Sequence, residues 1–211
     1  MSALELVIGT KAWSSWSLRP WLALKVIKQP FKETLVELRT PDSKANFLRH
    51  SPAGKVPVLK VDGTAIWDSL AICEYLAEAF PKAGLWPADP MARARARSVS
   101  AEMHSSFTPL RQAMPMDVKA RHPTPAMTPE LSADIARITQ LWNDCRRDFG
   151  GRAQGSAAGP FLFGGFTIAD AMYAPVVTRF VTYGVKLDDV SAAYVKTVTA
   201  MPEMIEWKDA A

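Results

Sequence analysis

The sequence predicts an α/β unit followed by an all-α unit, and three features carry that prediction. Leu4–Gly9 is a short apolar run that passes through a serine-rich junction into a helical pattern and then a second alternating segment, a β-α-β order. Asp62-Gly63 separates two further apolar segments and marks a tight hairpin. Beyond the proline-rich stretch Phe80–Pro90, the periodic segments repeat at helical spacing. The chain is therefore expected to divide into residues 1–80, a linker at 81–90 and a helical unit at 91–211.

Within the first unit, Leu4–Gly9 (LELVIG) reads as a buried strand. The junction Lys11–Trp21, KAWSSWSLRPW, leads into a helix expected from about Ser17 to Lys28, with Pro20 in a first turn whose amides lack partners in any case. Phe31–Leu38 alternates as a second strand, and the crossover makes it parallel to the first. Asp42–Arg49 has room for one or two helical turns after Pro41. Val56–Val61 and Ala65–Trp67 flank the hairpin turn as antiparallel strands. Ser69–Ala79 then sets Leu70, Cys73, Leu76 and Ala77 on one stripe, as in a helix covering a sheet.

In the second unit Met91–Met114 reads as one helix and Glu130–Phe149 as another, separated by a loop through Pro115, Pro123, Pro125 and Pro129. Gly150–Gly159 is a small-residue loop. Two more helices are expected near Ile168–Tyr183 and Val190–Ala200, the first opened by a capping box of Thr167 and Asp170.

Composition narrows the function. The 211 residues are 48% hydrophobic, enough for a packed core, and the formal charge of +4 is mild and scattered. Of Arg93, Arg95 and Arg97 only the first and last share a helix face, which favours a solvated surface over a nucleic-acid groove. Cys73 and Cys145 fall in helical patterns far apart and read as reduced core thiols, while His50 and His122 stand in loop-like sequence, so no metal site is expected. No charged leader and no span of roughly 20 apolar residues is present, which points to a cytoplasmic protein that does not enter a membrane.

The junction carries the chemistry-bearing residue types. Ser14, Ser15 and Ser17 precede or open a helix beside Arg19, and a serine at that place either caps the helix or helps to hold an anionic atom. Asp68-Ser69 repeats the choice at the next helix, and Lys55 stands just before Val56-Pro57. From residue types alone each of these has a structural reading as well as a functional one.

Taken together, SSWSLR, GKVPVL, the hairpin, WDSLAICEYL, the proline linker, GGFTIADAMYAP and the closing MPEMIEW resemble a glutathione S-transferase along nearly the whole chain. The resemblance implies a thioredoxin-like first domain, a helical-bundle second domain and glutathione as co-substrate. It implies a cis bond before Pro57, which lets the Val56 amide and carbonyl pair with the cysteinyl backbone of glutathione as an added strand would. It further implies that Ser69 receives the γ-glutamyl carboxylate, Asp68 the ammonium and Lys55 the glycine carboxylate.

The zeta-class pattern SSCSWR is the nearest match at the junction, and aligning Arg19 puts the catalytic hydroxyl on Ser14, with Ser15 as the substitute candidate. A hydroxyl donating to sulfur near a cation favours the thiolate over a thiol whose free pKa is about 8.5. Trp16 then lines the site and capping passes to Ser17. Trp16 stands where zeta-class enzymes carry a cysteine, a departure from the isomerase pattern of that class. Ser14 in place of a cysteine argues against the reductase chemistry of omega- and beta-type classes.

The helical unit is expected to supply the wall for a hydrophobic electrophile. His104, Phe107 and Arg111 are spaced to share one helix face, either as that wall or as interdomain packing. The resemblance thus implies a detoxifying transferase that conjugates glutathione to a small hydrophobic electrophile as a homodimer. A glutathione-dependent isomerase or peroxidase is the alternative in the same site, and a non-catalytic interaction module the alternative of another kind.

Overall fold

The computed structural model describes residues 2–150 and 158–211, so most of the small-residue loop expected at Gly150–Gly159 lies outside the described residues. Four strands form a mixed sheet in the order β2-β1-β3-β4. The parallel pair is β1 (Leu4–Gly9) with β2 (Lys32–Val36), in the register Val7 opposite Thr34. β3 (Val58–Val61) runs antiparallel to β1, and β4 (Thr64–Ile66) antiparallel to β3 through the Asp62-Gly63 turn. Asp62 and Gly63 both take positive φ, at 48° and 88°, the conformation that such a turn demands.

Helices α1 (Ser15–Val26) and α3 (Ser69–Ala79) cover one face of the sheet with Leu18, Leu22, Ile72, Cys73 and Leu76. The short α2 (Ser43–Leu48) covers the other face, where Val7, Val36 and Val58 pack with Phe47. This is a thioredoxin-like unit, as expected. Two details of α1 differ from the sequence reading. The helix starts at Ser15, so Ser17 lies inside it and is no cap. Pro20 therefore also falls in the helix interior, where it has no N–H to offer the Trp16 carbonyl one turn back.

The second unit holds α4 (Pro90–Ser105), α5 (Thr108–Ala113), α6 (Pro129–Cys145), α7 (Ile168–Thr182), α8 (Asp189–Thr199) and α9 (Pro202–Asp209). The single helix expected over Met91–Met114 is broken in two. Pro109 would cost a continuous helix a hydrogen bond and a clash one turn back; here the chain leaves α4 at Ser106, Phe107 takes a left-handed φ of 64°, and Thr108-Pro109 opens a new helix, where proline is tolerated. α9 falls where periodicity alone assigned no helix.

Helix α7 is buried along nearly its whole length and packs against both α1 and α4, which makes it the post between the two units. Trp142, Tyr173, Phe180 and Tyr194 cluster around it with ring centroids 4.8–5.9 Å from Trp142. Its N-terminus carries the expected capping box. The Asp170 carboxylate accepts from the Thr167 amide (2.8 Å), the Thr167 hydroxyl (3.0 Å), the Leu162 amide (3.1 Å) and the Tyr194 hydroxyl (3.0 Å). Burial pushes this carboxyl up to about 6, against the pull of those donors. Cys73 and Cys145 are buried and unpaired, their thiols raised to about 12 by burial. No described helix is long and apolar enough to cross a membrane.

Because Asp170 satisfies two backbone amides and two hydroxyls where water does not reach, Asp170→Ala leaves buried donors unpaired at about 1–3 kcal/mol each. Urea unfolding of Asp170→Ala is expected to show a loss of about 3 kcal/mol or more with an unchanged m-value.

Candidate active site

The junction that ends β1 is built so that its hydroxyls face inward. Ser14 and Ser15 are 5% and 7% exposed. The Ser14 hydroxyl donates to Ser17 Oγ at 2.7 Å, and Ser17 Oγ also accepts from the Gly9 amide at 3.1 Å. Ser17, expected as a cap, instead ties the end of β1 to the first turn of α1. Ser14 precedes the helix at the N-cap position without a side-chain cap bond, so its oxygen is not spent on the helix. Ser15 makes no side-chain bond with any described residue.

One cavity of about 370 Å³ opens beside this junction, lined by Trp16, Ala53, Lys55, Val56, Pro57, Trp67, Asp68 and His104. The Val56-Pro57 bond is cis, as the resemblance implied. Asp68 is the N-cap of α3: its Oδ1 accepts from the amides of Leu70 (3.0 Å) and Ala71 (3.4 Å). Its Oδ2 meets His104 Nε2 at 2.9 Å, which joins the sheet unit to α4 across the mouth of the cavity. The cap is thus Asp68, which frees Ser69. The Ser69 hydroxyl is completely buried at the N-terminal end of α3 and has no partner among the described residues.

Behind Trp16 lies an arginine with no counter-ion among the described residues. Arg19 is 1% exposed, its Nε and Nη1 have no partner among the described residues, and its guanidinium carbon lies 4.2 Å from the centre of the Trp16 ring. Burial, with Arg111 adding repulsion, pulls Arg19 down to about 9, which still leaves it charged at neutral pH. The Arg111 guanidinium lies 4.6 Å from the same ring, and His104 meets it edge-on at 5.2 Å. Arg111 donates to the carbonyls of Met103, His104 (3.2 Å) and Ser106 (3.0 Å), which caps the C-terminus of α4. Arg179 is likewise pulled down by burial, to about 10, and donates to the Met114 carbonyl.

The structure therefore gathers Trp16, Lys55, Val56, Pro57, Asp68 and His104 around one space. Ser14, Ser15 and Ser69 are buried and do not line it, each standing within two residues of a residue that does. The structure corrects the expected wall of the second unit. His104, Phe107 and Arg111 do not share a helix face, because the Pro109 break separates them. Phe107 is 5% exposed and packs in the core, and Arg111 reaches the site only through Trp16. The cavity also includes Ala53 and Trp67, which the sequence reading does not single out. Trp67, 45% exposed just after β4, has a signal in its aromatic type next to Asp68, whereas Ala53 has none. Among the described residues no cluster of His, Cys, Asp and Glu is suited to a metal.

The sheet unit carries cis-Pro57, α3 is capped by Asp68, and His104 of the helical unit lines the same cavity, the arrangement that the resemblance implies. Family models agree: "Glutathione S-transferase, N-terminal domain" matches residues 13–79 and "Glutathione S-transferase, C-terminal domain" matches residues 128–204. The chain belongs to the glutathione S-transferase family, a family of enzymes that use glutathione.

Among its relatives are a probable maleylacetoacetate isomerase of Caenorhabditis elegans, 43% identical over 96 residues, covering 46% of this chain and 44% of the relative. A maleylacetoacetate isomerase of Rhizobium meliloti is 39% identical over 99 residues, covering 46% of each. The chain thus spans about half the length of the curated relatives it matches. A solved glutathione transferase homologue from Burkholderia, with bound glutathione, superposes with a TM-score of 0.70 over 98% of this chain and 96% of that one, at 23% identity. That likeness supports the fold.

An unpaired buried guanidinium is expensive in a folded protein. Arg19→Met, which keeps the length and removes the charge, is expected to raise the unliganded protein's unfolding free energy by about 1–3 kcal/mol. Chemical denaturation with and without glutathione checks this, since the variant should gain less from glutathione than the natural chain does.

Proposed function

We propose that this protein activates the thiol of glutathione through the Ser14 hydroxyl and adds it to an electrophile held between Trp16 and the helical unit. One observation carries the reading: a single cavity is shared by Val56-Pro57, Lys55, Asp68 and His104 and reaches Trp16, two residues from the buried Ser14. Val56 pairs with the cysteinyl backbone and Lys55 with the glycine carboxylate. The Ser69 hydroxyl and the N-terminal end of α3 take the γ-glutamyl carboxylate. Asp68, already paired with His104, faces the ammonium.

With the peptide so held, its sulfur lies at the junction. Ser14 then turns its proton from Ser17 to the sulfur, and Ser17 can give its own proton to Ser14 Oγ, so the chain from the Gly9 amide to the sulfur stays closed. A thiolate that accepts this bond near the charged Arg19 is favoured over the thiol, whose proton passes to solvent. Attack on an electron-poor carbon forms the carbon–sulfur bond, and the leaving group or the protonated adduct carries away the charge.

A second reading is favoured by two observations, the maleylacetoacetate isomerase names of the relatives and the positive charge of Arg19 and Arg111 over the Trp16 ring. In it the electrophile is an unsaturated acid: the thiolate adds, the former double bond rotates as a single bond, and the thiolate is expelled unchanged. Both readings use the same hydroxyl and the same peptide site. The protein works in the cytoplasm as a homodimer in either case.

Ser14→Ala is expected to lower kcat/KM by about a hundredfold, with KM for glutathione within about twofold, and Ser15→Ala to lower it by less than about fivefold. Full activity in Ser14→Ala together with loss in Ser15→Ala reverses the assignment. Conjugation of an aryl halide against cis–trans isomerisation of an unsaturated diacid, with glutathione neither consumed nor altered, separates the two readings. Failure to bind glutathione at millimolar concentration restores the non-catalytic module.

A further inference from the structure

The junction that carries Ser14 is hydrogen-bonded from outside its own domain at two successive carbonyls. Trp207 on α9 donates its indole N–H to the Lys11 carbonyl at 3.0 Å, and the Val118 amide donates to the Ala12 carbonyl at 3.2 Å. Lys11 and Ala12 precede Ser14 by three and two positions. Within the junction, the amides of Trp13 and Ser14 both turn back to the Thr10 carbonyl, at 3.1 and 2.9 Å. The turn therefore closes on itself along one side and is held along the other by donors from the helical unit.

The Lys11 side chain fixes the same spot. Its Nζ pairs with Glu33 Oε1 at 2.8 Å and lies 5.3 Å from the Trp21 ring centre and 5.4 Å from that of Trp207. Trp21 donates its indole N–H to the second oxygen of Glu33 at 2.7 Å. The two indoles, both buried, meet edge to face at 5.0 Å, and Lys25 pairs with Glu206 at 2.8 Å along the rim. None of the residues lining the glutathione cavity belongs to this cluster. Two covalent paths lead from it toward the site, Lys11 to Ser14 and Trp21 along α1 to Trp16, and the Trp207 hydrogen bond falls on the first.

We infer that Trp207 is a positioning residue for thiol activation: through the Lys11 carbonyl it sets where the Ser14 hydroxyl stands. This rests on the reading of Ser14 as the donor to the thiol. A hydroxyl that must reach a sulfur has a narrow range of useful distance and angle, and a displacement on the order of 1 Å far from the chemistry costs large factors in rate. Lys55, Val56, Asp68 and Ser69 approach the cavity from other elements, so loosening the junction alters activation of the thiol and leaves peptide binding in place.

Trp207→Phe keeps an aromatic ring against Lys11 and Trp21 and removes the N–H. Its kcat/KM for conjugating glutathione to an aryl halide is expected to fall about fivefold, the loss of one N–H···O bond, with KM for glutathione within about twofold. The pH at which bound glutathione develops its ultraviolet thiolate absorbance is expected to move upward, a change that mere loss of fold would not produce.

A double-mutant cycle tests the route. If Trp207 acts through Ser14, Trp207→Phe changes nothing further in the residual activity of Ser14→Ala. The same fivefold loss in both backgrounds, or an unmoved thiolate titration, overturns the inference while leaving the Ser14 reading intact. Full activity in Ser14→Ala alone overturns the Ser14 reading, and this inference with it. Should Trp207→Phe fold poorly, site-specific replacement of Trp207 by 3-benzothienylalanine, which keeps the bicyclic shape and lacks the N–H, gives the same comparison.

Discussion

The Arg19 guanidinium is buried without a counter-ion among the described residues, and the surrounding structure is arranged to tolerate it. Taking an unpaired charge out of water costs several kcal/mol even after relaxation. The face of Trp16 returns up to about 2 kcal/mol in a dehydrated setting. Asp68 contributes attraction at longer range, but Arg111 and Arg179 work against it. The balance remains unfavourable, and the packing of α1 against α3 and α7 must carry the difference. Such a buried charge lowers the free energy of any anion that displaces water from it. A thiolate at the junction and a carboxylate beside Trp16 both fit that description, so the protein's electrostatic cost and its proposed chemistry have the same origin.

Asp68 is the negative counterpart of that charge and has more than one task. One oxygen holds the first amides of α3 and the other holds His104. A ligand ammonium that approaches this carboxylate meets a group already oriented on one side by the helix and on the other by α4. The His104 pair also joins the two units at the cavity, so under the proposed function peptide binding and the relation of α4 to the sheet are coupled through one side chain.

Local pattern made much of the fold legible. Strand β1, the Asp62-Gly63 turn, the stripe of α3 and the Thr167–Asp170 box each depend on residues within one or two turns of each other, and those are where sequence and structure agree. The misreadings share a different cause. Spacing alone groups Phe107 with His104 and Arg111, but the chain breaks at Ser106–Phe107 and restarts with Pro109 in the first turn of α5. Sequence alone makes Ser17 a cap because its partner, the Gly9 amide, lies on the preceding strand and becomes a neighbour only when the junction folds back.

The pairing of His104 with Asp68, and the stacking of Arg111 over Trp16, join residues far apart in the chain. No periodicity encodes such contacts. The resemblance of the motifs supplied the cis bond at Pro57, which composition and spacing do not specify.

Trp16 is the position where family pattern and physical reasoning part. A cysteine stands there in zeta-class sequences, and its loss reads at first as a loss of isomerase chemistry. Reversible addition of glutathione to an unsaturated acid, however, takes its nucleophile from the co-substrate and returns it unchanged, so the protein need supply no thiol of its own. It must supply a hydroxyl for the thiolate, a field that tolerates the substrate's negative charge, and room for a bond to rotate. Trp16 acts on the last two: its ring covers the Arg19 guanidinium and forms part of the wall of the cavity. In the proposed mechanism, tryptophan in place of cysteine therefore changes which acceptors fit and how strongly they feel the buried charge, while the step at sulfur remains with Ser14.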